Sequence, residues 1–389
     1  MRTWAEVDLD AAAHNFKVIK SCTDSRICCI VKADAYGSGA VQLSLKYQEL
    51  GADFLAVSNI EEAIQLRKSS VVIPILILGY TPPAAADILA DYDISQCVYS
   101  LEYARMLSDS LGGGKTLRIH IKVDTGMSRL GFFCQDIERD YSVADEIYEA
   151  VNLPGLSAEG IFTHFASADE GEGGIEFTEK QLENFLSLID DLESEGVEFK
   201  YCHCANSAGI EDYKNSHLDM VRAGIVLYGL EPSGDIRNKL DLKPVLSLKS
   251  VISHIKTIPA GAVVSYGRTY SADHPVKVAT VPVGYADGYF RRFASSGVEV
   301  LVSGLRCPVI GRICMDQLMV DISSVLNPSI GDVVTLIGRD GSEEITADEI
   351  ASLCGTINYE ILCGIGARVP RLYIENGEEK YTLDYICPD

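Results

Sequence analysis

Ile27-Cys28-Cys29-Ile30-Val31 runs without a break into Lys32-Ala33-Asp34-Ala35-Tyr36-Gly37-Ser38-Gly39. A short apolar run bounded by a glycine-flanked loop reads as a buried strand. The same pattern recurs at Phe54–Val57, Ile73–Leu78, Gln96–Tyr99, Leu117–Val123, Ser157–Thr163, Lys200–Cys204 and Leu218–Val221. Helical periodicity fills the intervals, clearest over Glu61–Arg67 and Phe177–Glu195. Eight such units in about 230 residues predict a TIM-like (β/α)8 barrel over residues 10–240.

Beyond residue 240 the texture changes. Lys277–Val283, Val298–Val302 and Asp332–Ile337 alternate as strands. Thr346-x-x-Glu349 forms a capping box, and Gly355 stops the helix it opens. Residues 241–389 therefore read as a mainly β domain. Thr3–Leu9 also alternates and is expected to join that domain, as a strand within residues 1–9. Asp10 is then the expected cap of a helix over Ala11–Lys20.

The balance of 33 basic against 56 acidic residues gives a net charge of −23. A nucleic-acid surface needs a basic stripe, so that class of partner is disfavoured. No apolar run approaches the roughly 20 residues of a membrane span. Acids arrive at once in Met1-Arg2-Thr3-Trp4-Ala5-Glu6-Val7-Asp8, unlike a signal peptide. The 12 cysteines lack any Cys-x-x-Cys pair. They read as reduced thiols of a cytoplasmic protein. Cys202-His203-Cys204 lies in a strand, where neighbours face opposite ways, so a zinc reading is disfavoured.

Barrel sites sit at the C-terminal ends of the strands, with phosphate commonly bound after strands seven and eight. Strand one ends at Lys32, whose amine, once desolvated, can form a Schiff base. Strand five ends in Lys122-Val123-Asp124-Thr125-Gly126-Met127-Ser128-Arg129, and strand six at His164. Strand seven delivers His203 and Ser207, and strand eight delivers Arg222 before Gly224 and Ile225. Ser207 and the Gly224 and Ile225 amides fall where phosphate is expected. A phosphorylated aldehyde cofactor would use the lysine, the arginines, the histidines and the amide site together. An ordinary sugar-phosphate barrel would need only the last.

The segments Val31–Gly39, Lys122–Gly131, His203–Gly209, Val221–Leu230, Val283–Tyr289 and Gly311–Gln317 resemble the signature stretches of the alanine racemase family. The likeness extends from Ala5-Glu6-Val7-Asp8-Leu9 to Arg368-Val369-Pro370-Arg371. It implies a fold-type-III enzyme that uses pyridoxal 5′-phosphate and works as a homodimer with shared active sites. By that resemblance Lys32 is the Schiff-base lysine and Tyr285 the second base, delivered from the partner subunit. Arg222 meets the pyridine nitrogen, His164 stacks on the ring, His203 is the tyrosine's hydrogen-bond partner, and Arg129 meets the phenolic oxygen and the substrate. Tyr36, Ser207, Gly224, Ile225 and Tyr359 contact the phosphate. Met315 meets the substrate carboxylate through its backbone, and Lys122 is a candidate for carbamylation.

Ser38, Ser128 and Gly366-Ala367 depart from residues common in the family, and leave substrate breadth open. An arginine at the ring nitrogen argues against a basic amino-acid decarboxylase, which would need an acid there. The alternatives are a serine or broad-specificity racemase, and a non-catalytic cofactor carrier. A carrier resembles the barrel alone and leaves residues 241–389 without a purpose. The resemblance implies D-alanine supply for cell-wall peptidoglycan.

Overall fold

The computed structural model describes residues 1–137, 140 and 142–387. The chain divides into two compact units. One comprises Ala13–Ala35 and Ala40–Leu242, the other Met1–Ala12, Tyr36–Gly39 and Lys243–Asp389. The segment Tyr36–Gly39, which the sequence reading kept with the barrel, thus belongs to the strand-rich unit.

The first unit is a nearly closed parallel barrel. Its strands are Arg26–Ile30, Phe54–Val57, Ile75–Ile77, Ile94–Val98, Leu117–Asp124, Leu156–Phe162, Tyr201–His203 and Met220–Ala223. Each of the first six pairs in parallel with the next, and Met220–Ala223 pairs in parallel with Arg26–Ile30. Between the last two strands, Asp219 N donates to Cys202 O at 3.1 Å and Arg222 N to Ala205 O at 2.9 Å. The strands read as unbroken apolar runs because helices cover their outer faces. Phe54, Leu55, Ala56 and Val57 are all buried. Several interior positions are nonetheless polar: Gln96, His120, Lys122, Thr163, His203 and Arg222 are buried among them.

In the second unit Thr3–Asp8 lies inside a large sheet. It pairs antiparallel with Leu246–Val251 and parallel with Arg371–Glu375. Arg371, 1% exposed, donates from Nε to Gly37 O at 2.9 Å, and Tyr373 Oη donates to Ser38 O at 3.1 Å. These bonds hold the Tyr36–Gly39 segment to this sheet.

Two end signals work differently from their sequence reading. The helix begins at Leu9, and it is Asp8, not Asp10, whose carboxylate accepts from Ala11 N at 2.8 Å. Asp10 instead accepts from Asn376 N. Thr346 does cap Ala347–Cys354, accepting from Glu349 N at 3.0 Å, and Gly355 ends that helix in the left-handed region. Only half of the box forms, because Arg306 draws the Glu349 carboxylate away, with NH1 at 2.6 Å.

Candidate active site

After the first barrel strand the backbone turns left-handed. Ala33, Asp34, Ala35 and Tyr36 have φ of 53°, 54°, 52° and 53°. A left-handed turn costs an L-residue roughly 1–2 kcal/mol, so its surroundings must hold it. Ala35 N donates to Val31 O at 2.9 Å, closing the turn. Ala33 N donates to Glu62 Oε1 at 2.7 Å, and the Asp34 carboxylate accepts from Ala40 N at 2.8 Å. Lys32 stands at the start of this turn, at the end of the strand and partly buried.

Arg222 organises the barrel interior. Its NH1 donates to His203 Nδ1 at 3.0 Å and to His203 O at 3.1 Å. Its NH2 donates to Thr163 O at 2.7 Å, Cys204 O at 3.0 Å and His164 Nδ1 at 3.1 Å. Burial lowers its pKa to about 10, which leaves it charged at neutral pH. Its Nε has no hydrogen-bond partner among the described residues.

A guanidinium can only donate, so these contacts fix the histidine tautomers. His203 accepts at Nδ1 and therefore donates from Nε2 to His120 Nδ1, 3.0 Å away. His120 in turn donates from Nε2 to Glu159 Oε1 at 3.3 Å. Ser95 Oγ closes the chain on that carboxylate at 2.6 Å. Burial lowers all three histidine pKa values, aided at His164 and His203 first by the Arg222 charge, so each ring stays neutral.

This corrects one expected role. Both nitrogens of His203 are committed inside the barrel and its ring stacks on Phe162 at 4.9 Å, so it has none left for a tyrosine. His164 accepts at Nδ1 and so carries its proton on Nε2, which has no hydrogen-bond partner among the described residues. His164 is the histidine able to donate to a tyrosine.

Sequence reasoning missed His120 and Glu159. The signal was present: His120, Lys122 and Asp124 share the parity of one strand, whose even members share a face. Asp124 serves the following loop, its Oδ1 accepting from Gly126 N, Met127 N and Ser128 N at 3.0, 2.9 and 3.0 Å. That loop presents Arg129, which is exposed and has no ion pair among the described residues. Lys122 is buried, donates to Val123 O at 2.8 Å, and has its pKa lowered to about 7, mainly by burial.

Arg222, Lys122, Arg129 and Lys32 all bear on His164 and hold its pKa down. The mouth thus gathers positive charge, while the Asp124 carboxylate is spent on backbone amides. Ser207 and Gly224 meet where the last two strands end, Gly224 N donating to Ser207 Oγ at 3.0 Å. Ile225, fully buried, opens the turn that follows. Clustered cations, a guanidinium N–H without an acceptor among the described residues and a hydroxyl–amide pair fit an anionic, phosphorylated ring with a basic nitrogen.

The remaining expected residues lie in the strand-rich unit. Tyr36, buried, packs against Tyr359 with ring centroids 5.9 Å apart. Tyr285 and Met315 come together: Tyr285 N donates to Cys314 O and Ala286 N to Met315 O, both at 3.1 Å. A Cβ on Gly284 would stand 2.3 Å from Met315 O, so only glycine permits this approach. Tyr285 is 39% and Met315 53% exposed. No helix among the described residues is long and apolar enough to cross a membrane.

A (β/α)8 barrel with a cationic lysine–arginine–histidine mouth, joined in one chain to a strand-rich unit that carries an exposed tyrosine, defines a class of amino-acid isomerases. Residues 7–232 match the family profile described as alanine racemase, N-terminal domain, and residues 245–373 that of the C-terminal domain. The chain belongs to the alanine racemase family. It is 44% identical over 386 residues to the alanine racemase of Clostridium tetani, covering 98% of each. The structure of alanine racemase from Clostridium difficile 630 matches with a TM-score of 0.94 at 41% identity, covering 100% of this chain and 99% of that one. A histidine racemase from Leuconostoc mesenteroides matches with a TM-score of 0.86 at 31% identity, covering 96% and 98%.

Arg222→Ala is expected to destabilise the protein by at least about 3 kcal/mol, since it strands three carbonyls and two histidine nitrogens in the barrel. Urea unfolding followed by circular dichroism reads this directly. A loss below about 1 kcal/mol would show that the arginine is not the barrel's polar keystone.

Proposed function

We propose that this protein interconverts L- and D-alanine with pyridoxal 5′-phosphate, by a two-base mechanism in a homodimer, and supplies D-alanine for peptidoglycan. The observation that carries this reading is Arg222, charged, buried, and holding two neutral histidines in defined tautomers. The cofactor, when bound, supplies an electron sink for the carbon that loses its proton. Lys32 would hold it covalently, with Ser207, Gly224 and Ile225 on its phosphate. Tyr36 and Tyr359 take phosphate roles by resemblance, and Arg129 the phenolic oxygen.

Arg222 keeps its own proton at neutral pH. Facing the pyridine nitrogen through Nε–H, it would leave that nitrogen unprotonated, weaken the sink and disfavour transamination. Lys32 Nζ moves the proton on one face of the substrate, and Tyr285 Oη of a second copy moves it on the other. A free phenol has a pKa of about 10, so the tyrosine needs help to act as a base. A neutral His164 donating from Nε2, beside the mouth's cations, would favour the phenolate. Met315 would meet the substrate carboxylate through its backbone.

Mixing inactive Lys32→Ala and Tyr285→Phe proteins should restore part of the activity, because one hybrid dimer site is intact. No recovery, with subunit exchange confirmed by mass spectrometry, would argue against a shared site.

Lys122 is proposed to take up CO2. Near neutral pH part of its amine is uncharged, given a pKa of about 7. The nitrogen lone pair attacks CO2, forms a carbamate and releases one proton. The new anion would hold Arg129 by a charge-assisted hydrogen bond. Since the neutral amine is the reactant, the adduct should form above pH 7 and be lost as pH falls below it. In 13C-bicarbonate a carbamate NMR signal is expected at pH 8 and not at pH 6. Its absence at pH 8 would refute the modification.

Alanine is the proposed substrate because Tyr359 would wall the pocket near the β carbon. Burying the hydroxyl of serine without a partner costs roughly 1–3 kcal/mol, so serine should be used about tenfold or more less efficiently. A panel of L-alanine, L-serine and L-histidine decides this by kcat/KM. The similarity to a histidine racemase is the reason to include the third. A serine or histidine value equal to that of alanine would overturn the assignment.

A further inference from the structure

The barrel strands Leu117–Asp124 and Leu156–Phe162 do not keep one register. Leu117, Arg118 and Ile119 pair with Leu156, Ser157 and Ala158, and His120, Ile121 and Lys122 then pair with Gly160, Ile161 and Phe162. Glu159 is the extra residue of a bulge. Bulges are rare between parallel strands, and they gather next to active sites, where they re-aim a side chain. Here two successive residues of one strand meet the same histidine. The Glu159 carboxylate accepts from His120 Nε2 at 3.3 Å, and a Cβ on Gly160 would collide with His120 Nδ1. One residue supplies the acceptor and the next leaves room for the ring. Tyr201 stacks on that ring, with centroids 6.0 Å and planes 9° apart, and limits its rotation.

The hydrogen-bond chain that starts at Glu159 has ends of opposite kind. A carboxylate only accepts and a guanidinium only donates. Between them His120 and His203 each accept at Nδ1 and donate from Nε2, with 3.0 Å at both remaining links. Arg222 is buried and makes no ion pair among the described residues. Glu159 is not consumed by its other cationic neighbour: Arg118 Nε stands 3.7 Å from it, and Arg118 pairs with Asp93. Burial pushes the Glu159 pKa up, but hydrogen bonds from His120 and Ser95 outweigh it and hold the group below the ordinary carboxylate value. It is therefore an anion at neutral pH. An anion at one end of such a chain polarises each link in turn.

We propose that Glu159 is a positioning residue and the distant counter-ion of Arg222. Through His120 and His203 it makes His203 Nδ1 a stronger acceptor. That acceptor holds Arg222 NH1, and with it the orientation of the guanidinium that leaves Nε–H unspent. The effect on turnover rests on the racemase reading, in which that Nε–H meets the cofactor's ring nitrogen. The polarised chain itself does not. None of its members is a proposed substrate contact, so it should act on kcat rather than on KM.

Deuterated holoenzyme labelled with 15N-histidine tests the chain without any turnover. The protein has 7 histidines, few enough to assign one at a time by NMR. His120 and His203 should each carry their proton on Nε2 at neutral pH. Glu159→Gln keeps an acceptor oxygen and removes the charge. It should shift the 15N signals of His203, a ring that makes no hydrogen bond to Glu159, and leave the proton on Nε2. Glu159→Leu removes the acceptor as well, and kcat for alanine should fall roughly tenfold or more with KM within about threefold, the Gln variant recovering most of the loss. A purely structural role would lower Tm and leave the His203 signals in place. A proton on Nδ1 of either ring in the wild type, His203 signals indifferent to Glu159→Gln, or a wild-type kcat in folded Glu159→Leu protein would each overturn the relay. A wild-type enzyme that racemises no amino acid would instead overturn the racemase reading, and the spectra would still decide the chain.

Discussion

A full positive charge sealed inside a parallel barrel is the constraint on which the rest of the site depends. Removing a charge from water costs several kcal/mol even after relaxation, so Arg222 requires acceptors around its two terminal nitrogens. The ends of two strands provide them as the carbonyls of Thr163, His203 and Cys204. Two histidines complete the shell, and both must be neutral to accept. One buried cation therefore sets the protonation of its neighbours, and through them the direction of a hydrogen-bond chain that ends on Glu159.

That directionality separates two histidines that look equivalent along the chain. His203 sits within the chain, accepting at one nitrogen and donating at the other. His164 sits at its edge, accepting at Nδ1 and keeping a donor. The mouth is thus electrostatically prepared in advance: its cations repel protons from His164, and its carboxylate is spent on the loop that carries Arg129. Preorganisation of this kind is how a barrel stabilises charge without rearranging during reaction.

The barrel was legible because strands covered on both faces are written as apolar runs, and all eight expected runs carry strands. The mouth residues were legible because strand ends are where barrels keep chemistry. What escaped was set by three-dimensional competition. Asp8 and Asp10 are chemically identical caps, and only the sheet geometry decides between them. The Glu349 carboxylate had two suitors, and Arg306 offered the stronger, charge-assisted bond. The left-handed run from Ala33 to Tyr36 has no glycine to announce it, since its shape is imposed by Glu62, Asp34 and Val31. The tautomer of His203 depends on a strand that lies elsewhere in the sequence.

The place of Thr3–Asp8 in its sheet has a consequence for synthesis on the ribosome. The strand is made well before its neighbours, which begin at Leu246 and Arg371. At about 5–20 residues per second, it waits on the order of 20–75 s for its second neighbour to be made. An unpaired strand in a nascent chain is an aggregation hazard. This one alternates apolar Ala5 and Val7 with Glu6 and Asp8, so charges guard it through the delay. This strand is made before both of its neighbours, and its pairing is complete only once Arg371–Glu375 has been translated.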